Sequence, residues 1–291
     1  MTNILSLHND LKNKAYKHSS YEYFKITDPK PRDIHKASVR DRLLHYAIYR
    51  TLYPYFDNKF SWDSYSCRFE KGSHKAINRF RSFAYIESRN HTRTIWILKC
   101  DIKKFFASID HSILLQILER YIGDKEIIWL MERIITSFET TPGKGLPLGN
   151  LTSQLLVNIY MNEFDQFVKH KLKIKYYIRY ADDFVILSYN KSLLLDNIRY
   201  IVCYLSDKLK LTLHPDKVFI KTLSSGVDFL GWVHFPDHRV IRMITKRRAI
   251  KGIRAGRSNN SLQSYIGLLR HGNSNKLFKR IRDNNLSTTS L

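Results

Sequence analysis

Residues 176–188 read YYIRYADDFVILS. Aromatic and β-branched residues fill both halves of this stretch, and the halves meet at Ala181, Asp182 and Asp183, a pattern that predicts a β-hairpin with both acids at its turn. Adjacent acids in a turn are commonly just solvated. Here the flanking Tyr, Phe, Val and Ile bury the hairpin, so the two carboxylates must stay ionised against their own repulsion. Arg179 is the only base adjoining them in sequence, and a divalent cation is the simplest partner for both.

Upstream, residues 95–101 (IWILKCD) form a short apolar, β-rich run that stops on Asp101. A strand-end acid beside a hairpin-turn pair supplies the few oxygen ligands that Mg²⁺ takes, leaving positions for water and substrate phosphate. Two such ions roughly 3.5–4 Å apart polarise the attacking and leaving oxygens of a phosphoryl transfer. Ile113, Ile117 and Tyr121 then recur at helical spacing, which predicts a helix over 112–122 capped by Asp110. A second helix, 153–170, places Leu156, Tyr160, Phe164 and Phe167 on one face, after a Gly- and Pro-bearing loop at 141–149. Further patterns predict a helix over 192–210 and strands over 217–222 and 228–235, so the fold class is α+β. Residues 1 to about 95 mix helix-like stretches such as 42–52 with Pro29, Pro31 and Pro54, and 62–81 is basic and aromatic-rich, which predicts a nucleic-acid-facing lobe.

Composition narrows the function classes. The 291 residues are 43% hydrophobic and 13% aromatic, which excludes a disordered tail. Lys and Arg number 49 against 26 Asp and Glu, a net +23 that asks for a polyanionic partner, with nucleic acid leading. From residue 246 onward, eleven Lys and Arg face a single acid, Asp283. Cys67, Cys100 and Cys203 lie too far apart for a disulfide framework or a CxxC metal site. No apolar run nears the roughly 18 residues of a membrane helix and the start is too polar for a secretory signal, so a cytoplasmic protein with no membrane partner is expected.

The motifs resemble those of reverse transcriptases. YADD at Tyr180 joins DIKKFFASIDH at Asp101, and VRDRLLHYAI at Val39, SYSCRFEKGSHKAI at Ser64, GLPLGNLTSQLLVNIYMNEFDQFV at Gly145, LHPDK at Leu213 and FLGW at Phe229 follow the family's order. The resemblance covers residues from about 25 to 270. It implies a right-hand polymerase: fingers and N-terminal segment at 1–95, a palm at 96–235 with a fingers piece inserted near 125–150, and a basic helical thumb at 236–291. The palm would be an antiparallel sheet carrying the YADD hairpin and packed on helices. The implied activity is RNA-directed DNA synthesis, with an RNA template, a primer or cDNA duplex, dNTPs and two Mg²⁺ ions, Mn²⁺ serving as a substitute.

Within the family the pattern is most similar to diversity-generating retroelement enzymes. Most relatives carry PQG and then SP where this chain has Pro147-Leu148-Gly149 and Ser153-Gln154. That similarity implies error-prone copying and a small basic accessory protein as partner. A defence or retron-like reverse transcriptase is the alternative, and a non-catalytic nucleic-acid-binding protein a more distant one.

By motif, the resemblance assigns Asp101 and Asp182 to the catalytic metals, with Asp183 in the same cluster and the Ile102 carbonyl as a further ligand. Arg68 and Lys71 would grip the triphosphate. Phe106 would pack under the deoxyribose and clash with a 2′-hydroxyl, while Leu148 and Gly149 would lie beside the incoming nucleotide. Lys217 would protonate pyrophosphate. Trp232 would either grip the primer or anchor palm to thumb. Lys246, Arg247, Arg248, Lys251, Arg254 and Arg257 would track the duplex backbone by neutralising phosphates.

Overall fold

The computed structural model describes residues 2–27, 31–254 and 259–273. The chain starts with helix α1 (Thr2–Lys12), an antiparallel hairpin of β1 (Glu22–Ile26) and β2 (Arg32–Lys36), and helices α2 (Val39–Asp57) and α3 (Ser73–Glu87). Next come β3 (Trp96–Asp101), α4 (His111–Tyr121), α5 (Lys125–Ile135), α6 (Leu151–Gln166), β4 (Tyr177–Tyr180) and β5 (Asp183–Ser188). After α7 (Lys191–Leu209) and β6 (Phe219–Thr222), three short strands follow, β7 (Val227–Phe229), β8 (Trp232–His234) and β9 (Arg239–Ile241), and then helices α8 (Met243–Arg254) and α9 (Asn259–Leu269).

The central sheet has the order β4-β5-β3-β6 and is antiparallel throughout. Alternate side chains leave a strand on opposite faces, and both faces are covered. Leu98 and Cys100 of β3, with Phe184 and Ile186 of β5, join the core formed by α4, α6 and α7. Ile97, Val185 and Leu187 point the other way, onto α3 and the β7-β8-β9 sheet. Burial on both faces is why these strands read as nearly continuous apolar runs. Local signals set the helix starts: Asp110 accepts from the Ile113 N–H, Asp124 from those of Glu126 and Ile127, and Asn190 from that of Leu193.

Several expectations need correction. The run over 228–235 is two strands, because Leu230 and Gly231, with φ of +50° and +87°, reverse the chain between β7 and β8. α2 continues through Pro54 to Asp57. The N-terminal segment holds the β1-β2 hairpin as well as helices. The basic, aromatic stretch over 62–81 is partly core, since α3 buries its Ala76, Ile77 and Phe80. The segment before α3 is joined to the sheet edge: Tyr65 N–H donates to Arg179 O and Arg179 N–H to Asp63 O, both at 2.9 Å. Cys67, Cys100 and Cys203 are all free. Among the described residues no helix is long and apolar enough to cross a membrane.

Candidate active site

The three acids arise from strand pairing. Asp101 ends β3 directly opposite Asp183, the first residue of β5, a placement that brings cross-strand Cβ atoms to roughly 4.5–5.5 Å. Tyr180 pairs with Asp183, so Ala181 and Asp182 form a two-residue turn. The Ile102 N–H donates to Asp182 O at 3.1 Å, and the Asp101 carbonyl accepts from the His214 N–H at 2.7 Å. Ala181 sits at φ +55°, a conformation that costs a non-glycine residue roughly 1–2 kcal/mol. Arg179 supports it from below, donating from Nη1 to Ala181 O at 3.2 Å.

Arg179 does not pair with the turn aspartates. Its side chain is fully buried and meets Asp165 through two parallel hydrogen bonds, Nε to Oδ1 at 2.8 Å and Nη2 to Oδ2 at 2.7 Å. Asn158, Ser64 and the Tyr177 hydroxyl on Asp165 complete that network. Two of the three acids have lysines instead: Lys99 Nζ lies 3.3 Å from Asp183 Oδ2, and Lys217 Nζ 2.9 Å from Asp101 Oδ1. Burial, then repulsion from Asp101, holds the Asp182 carboxyl above the usual carboxylate range. Burial pushes Asp183 up to about 7, against the pull of Lys99.

These residues fit a divalent cation. Asp183 Oδ1 is buried with no hydrogen-bond partner, and neither lysine bridge reaches Asp182. No group of three His, Cys, Asp or Glu side chains among the described residues converges as a ready-made cage, whereas Mg²⁺ typically needs only one or two carboxylates beside substrate phosphates.

The other expected residues divide. Phe106 lies in the 3₁₀ turn Phe105–Ser108, edge-on to Phe105 with ring centres 5.6 Å apart. Its carbonyl accepts from the Leu146 N–H, which ties the loop of Leu148 and Gly149 to it. Leu148 O accepts from the His35 N–H, and Asn150 bonds His35 O and the Ala37 N–H, so β2 is clamped to this loop. Gly149, at φ +112°, passes so close to Ile34 that a Cβ would stand 2.9 Å from Ile34 Cγ2. Lys217 is at the acids, as described.

Arg68, expected at the triphosphate, is turned towards Asp57 and its own loop. Its side chain is 4% exposed and bonds Asp57 and the carbonyls of Asp57, Ser61 and Ser64, so it braces its own loop. Lys71 lies over the Trp62 ring, 3.6 Å from its centre. A cation that sequence reasoning missed is Arg32 of β2, whose charge acts on the Asp182 carboxyl.

Of the two roles for Trp232 the geometry favours the anchor: it is 2% exposed and packs with Ile241 and Leu269, with no room for a side chain at Gly272. On α8, Arg247 and Lys251 are exposed while Lys246 and Arg248 are half-buried. Arg254 is the last residue of α8, and Arg257 lies outside the described residues.

An antiparallel sheet that presents acids at one strand end and one hairpin turn, with helices behind it and a hairpin lobe in front, defines the palm of a right-hand polymerase. The likeness to solved structures shows that fold: telomerase from Candida tropicalis, with a TM-score of 0.58 at 12% identity over 82% of this chain and 60% of that one, and telomerase from Candida albicans, 0.57 at 12% over 84% and 51%. Residues 25–234 match the reverse transcriptase (RNA-dependent DNA polymerase) family, and the chain belongs to it. Its relatives include protein YkfC of Escherichia coli, 26% identical over 85% of this chain and 74% of that protein. The group II intron-encoded protein LtrA of Lactococcus lactis is 23% identical over 84% of this chain and 50% of LtrA. The chain therefore spans about half the length of LtrA.

Proposed function

We propose that this chain copies an RNA template into cDNA by nucleotidyl transfer, extending a primer with dNTPs. The observation that carries this reading is the meeting of Asp101, Asp182 and Asp183 at one end of a sheet, with one buried carboxylate oxygen left without a partner. Asp101, Asp182 and Asp183 would hold two divalent ions, with the Ile102 carbonyl beside them. When bound, Mg²⁺, or Mn²⁺ in its place, supplies charge stabilisation where the primer 3′-hydroxyl attacks the α-phosphate.

The chain's own groups supply the rest. Arg32 offers a cation to the triphosphate. Lys217 carries a proton at Nζ within the site and is suited to protonating the leaving pyrophosphate. The Phe106 ring excludes a 2′-hydroxyl, and Gly149 lets backbone approach the nucleotide closely. Arg247 and Lys251 stand four residues apart on one helix face, and with Lys246, Arg248 and the other cations that follow them in sequence they hold the duplex backbone by phosphate neutralisation. In this reading 1–95 are fingers, 96–235 palm with an inserted fingers piece near 125–150, and 236–291 thumb.

The finer assignment is to the error-prone enzymes of diversity-generating retroelements, supported by Leu148 and Gln154 at positions where most relatives carry glutamine and proline. It brings with it a small basic accessory protein as partner and a cytoplasmic setting.

Primer extension on defined RNA and DNA templates, with and without Mg²⁺, tests the activity. We expect RNA-templated synthesis that Asp182→Ala abolishes, and synthesis indifferent to that change would overturn the assignment. Sequencing the product tests the finer reading. Errors concentrated opposite template adenine support it, and accurate copying points to a defence or retron-like enzyme.

A further inference from the structure

Phe69 and Trp62 carry the most exposed aromatic rings among the described residues, 79% and 70% accessible. A single exposed ring is ordinary, but these two line one open cavity of about 500 Å³, together with Tyr53, Tyr65, Lys71 and Lys75. That volume falls within the roughly 300–1,000 Å³ of small-molecule sites, room for one or two nucleobases.

The cavity is built rather than incidental. Lys71 Nζ sits 3.6 Å from the centre of the Trp62 ring and 5.0 Å from that of Tyr65, and it donates to Trp62 O at 2.9 Å. One face of the indole is therefore covered by a cation, and its exposure belongs to the rest of the ring. Arg68, bonded to Asp57 and three carbonyls, fixes the loop from inside, and the Phe69 N–H donates to the Tyr53 hydroxyl. Asp57 and Glu70 also line the cavity, but Asp57 is paired with Arg68, so Lys71 and Lys75 outnumber the remaining acid.

The loop is also registered to the catalytic turn. Tyr65 and Asp63 hydrogen-bond to Arg179, on the strand that leads into the turn of Asp182. The loop of the rings thus shares a rigid frame with the acids.

Exposed rings flanked by lysines recognise unpaired nucleic acid, because every base has a π-face while a duplex hides its faces against one another. Copying supplies such a strand, the template ahead of the primer terminus. We infer that Trp62 and Phe69 form a stacking platform for unpaired template bases, an inference that rests on the RNA-copying reading.

The test compares the full chain with Trp62→Ala/Phe69→Ala, measuring affinity for one labelled primer–template duplex carrying either a single-nucleotide or a long template overhang. A long overhang of about ten nucleotides lies within the roughly 4–16 nucleotide footprints of such sites. The wild type is expected to bind the long overhang more tightly. The double variant should lose that gain, about thirtyfold or more for two stacked bases, and Trp62→Tyr/Phe69→Tyr should retain it. Affinity for the short overhang, and the rate of adding one nucleotide to it, should not change. An overhang of abasic sugar-phosphates should bind the wild type no better than the short one. Equal long-overhang affinity in wild type and double variant, tight binding of the abasic overhang, or equal losses on both overhangs would each overturn the platform. A wild type that extends no primer yet shows the ring-dependent gain would refute the copying reading and leave the platform standing.

Discussion

Carboxylates on the two sides of the β4-β5 hairpin, Asp165 of α6 and the acids at the turn, are treated in opposite ways. Asp165 is fully buried, and both its oxygens are engaged by Arg179 in a two-bond fork, with Tyr177 adding a third hydrogen bond. Asp183 is nearly as enclosed, its side chain 19% exposed, yet it has one lysine on one oxygen and nothing on the other. The choice of base matters. A guanidinium locks a carboxylate in a fixed plane, whereas an ammonium on a flexible stem is a point charge that an arriving cation can displace. Arginine beneath the turn and lysine above it thus separate what must stay still from what must exchange.

That contrast breaks in two directions. Asp182→Asn should reduce nucleotide addition by about 10³-fold or more, with nucleic-acid affinity near wild type because the affinity resides in cations; single-turnover extension and a binding titration check both. Asp165→Asn should do the reverse, lowering stability by roughly 3–5 kcal/mol because Arg179 is left as an unpaired buried charge. Replacing Arg179 by Met in the same chain should restore part of that loss, which denaturant titration reads directly.

Acidity sharpens the contrast further. The folded Asp183 value of about 7 lies above the roughly 3.9 of an unfolded aspartate, so the metal-free fold binds the extra proton. The stability this contributes is complete below about pH 4 and is lost as pH rises through about 7. Thermal melts in chelator should show that decline in the wild type and a flatter curve in Asp183→Asn. Saturating Mg²⁺ should remove the difference near neutral pH. The smallest effect belongs to a neutral neighbour. Leu148→Gln restores one hydrogen bond worth about 0.5–1.5 kcal/mol, so sequencing of cDNA should show errors falling only about two- to tenfold.

The hairpin at 176–188 and the strand into Asp101 are legible because nearly continuous apolar, β-rich runs end on acids, and Asp110 announces its helix. Other features are silent in the sequence for physical reasons. The turn at Leu230 is marked only by Gly231, and a lone glycine inside an apolar run also reads as a bulge in one strand. Composition shows that Arg68 is a cation but not which way it points, and four acceptors within its own loop decide that. Arg179 looks adjacent to the aspartates in sequence, but β alternation turns it to the opposite side of the strand. Arg32 reaches Asp182 only through tertiary closure, and its strand is too exposed to carry a burial pattern.

Asn150 bonds to Ala37 and His35, partners 113 and 115 residues earlier in the chain. During synthesis at roughly 5–20 residues per second, about 6–23 seconds separate the emergence of those partners from that of the amide that holds them. Until then β1 and β2, with side chains largely in solvent, have chiefly each other, and a lone two-stranded hairpin is marginal in water. An element made well before Asn150 is therefore among the last to settle, and a nascent chain halted before residue 150 should expose this hairpin to proteases that the finished protein resists.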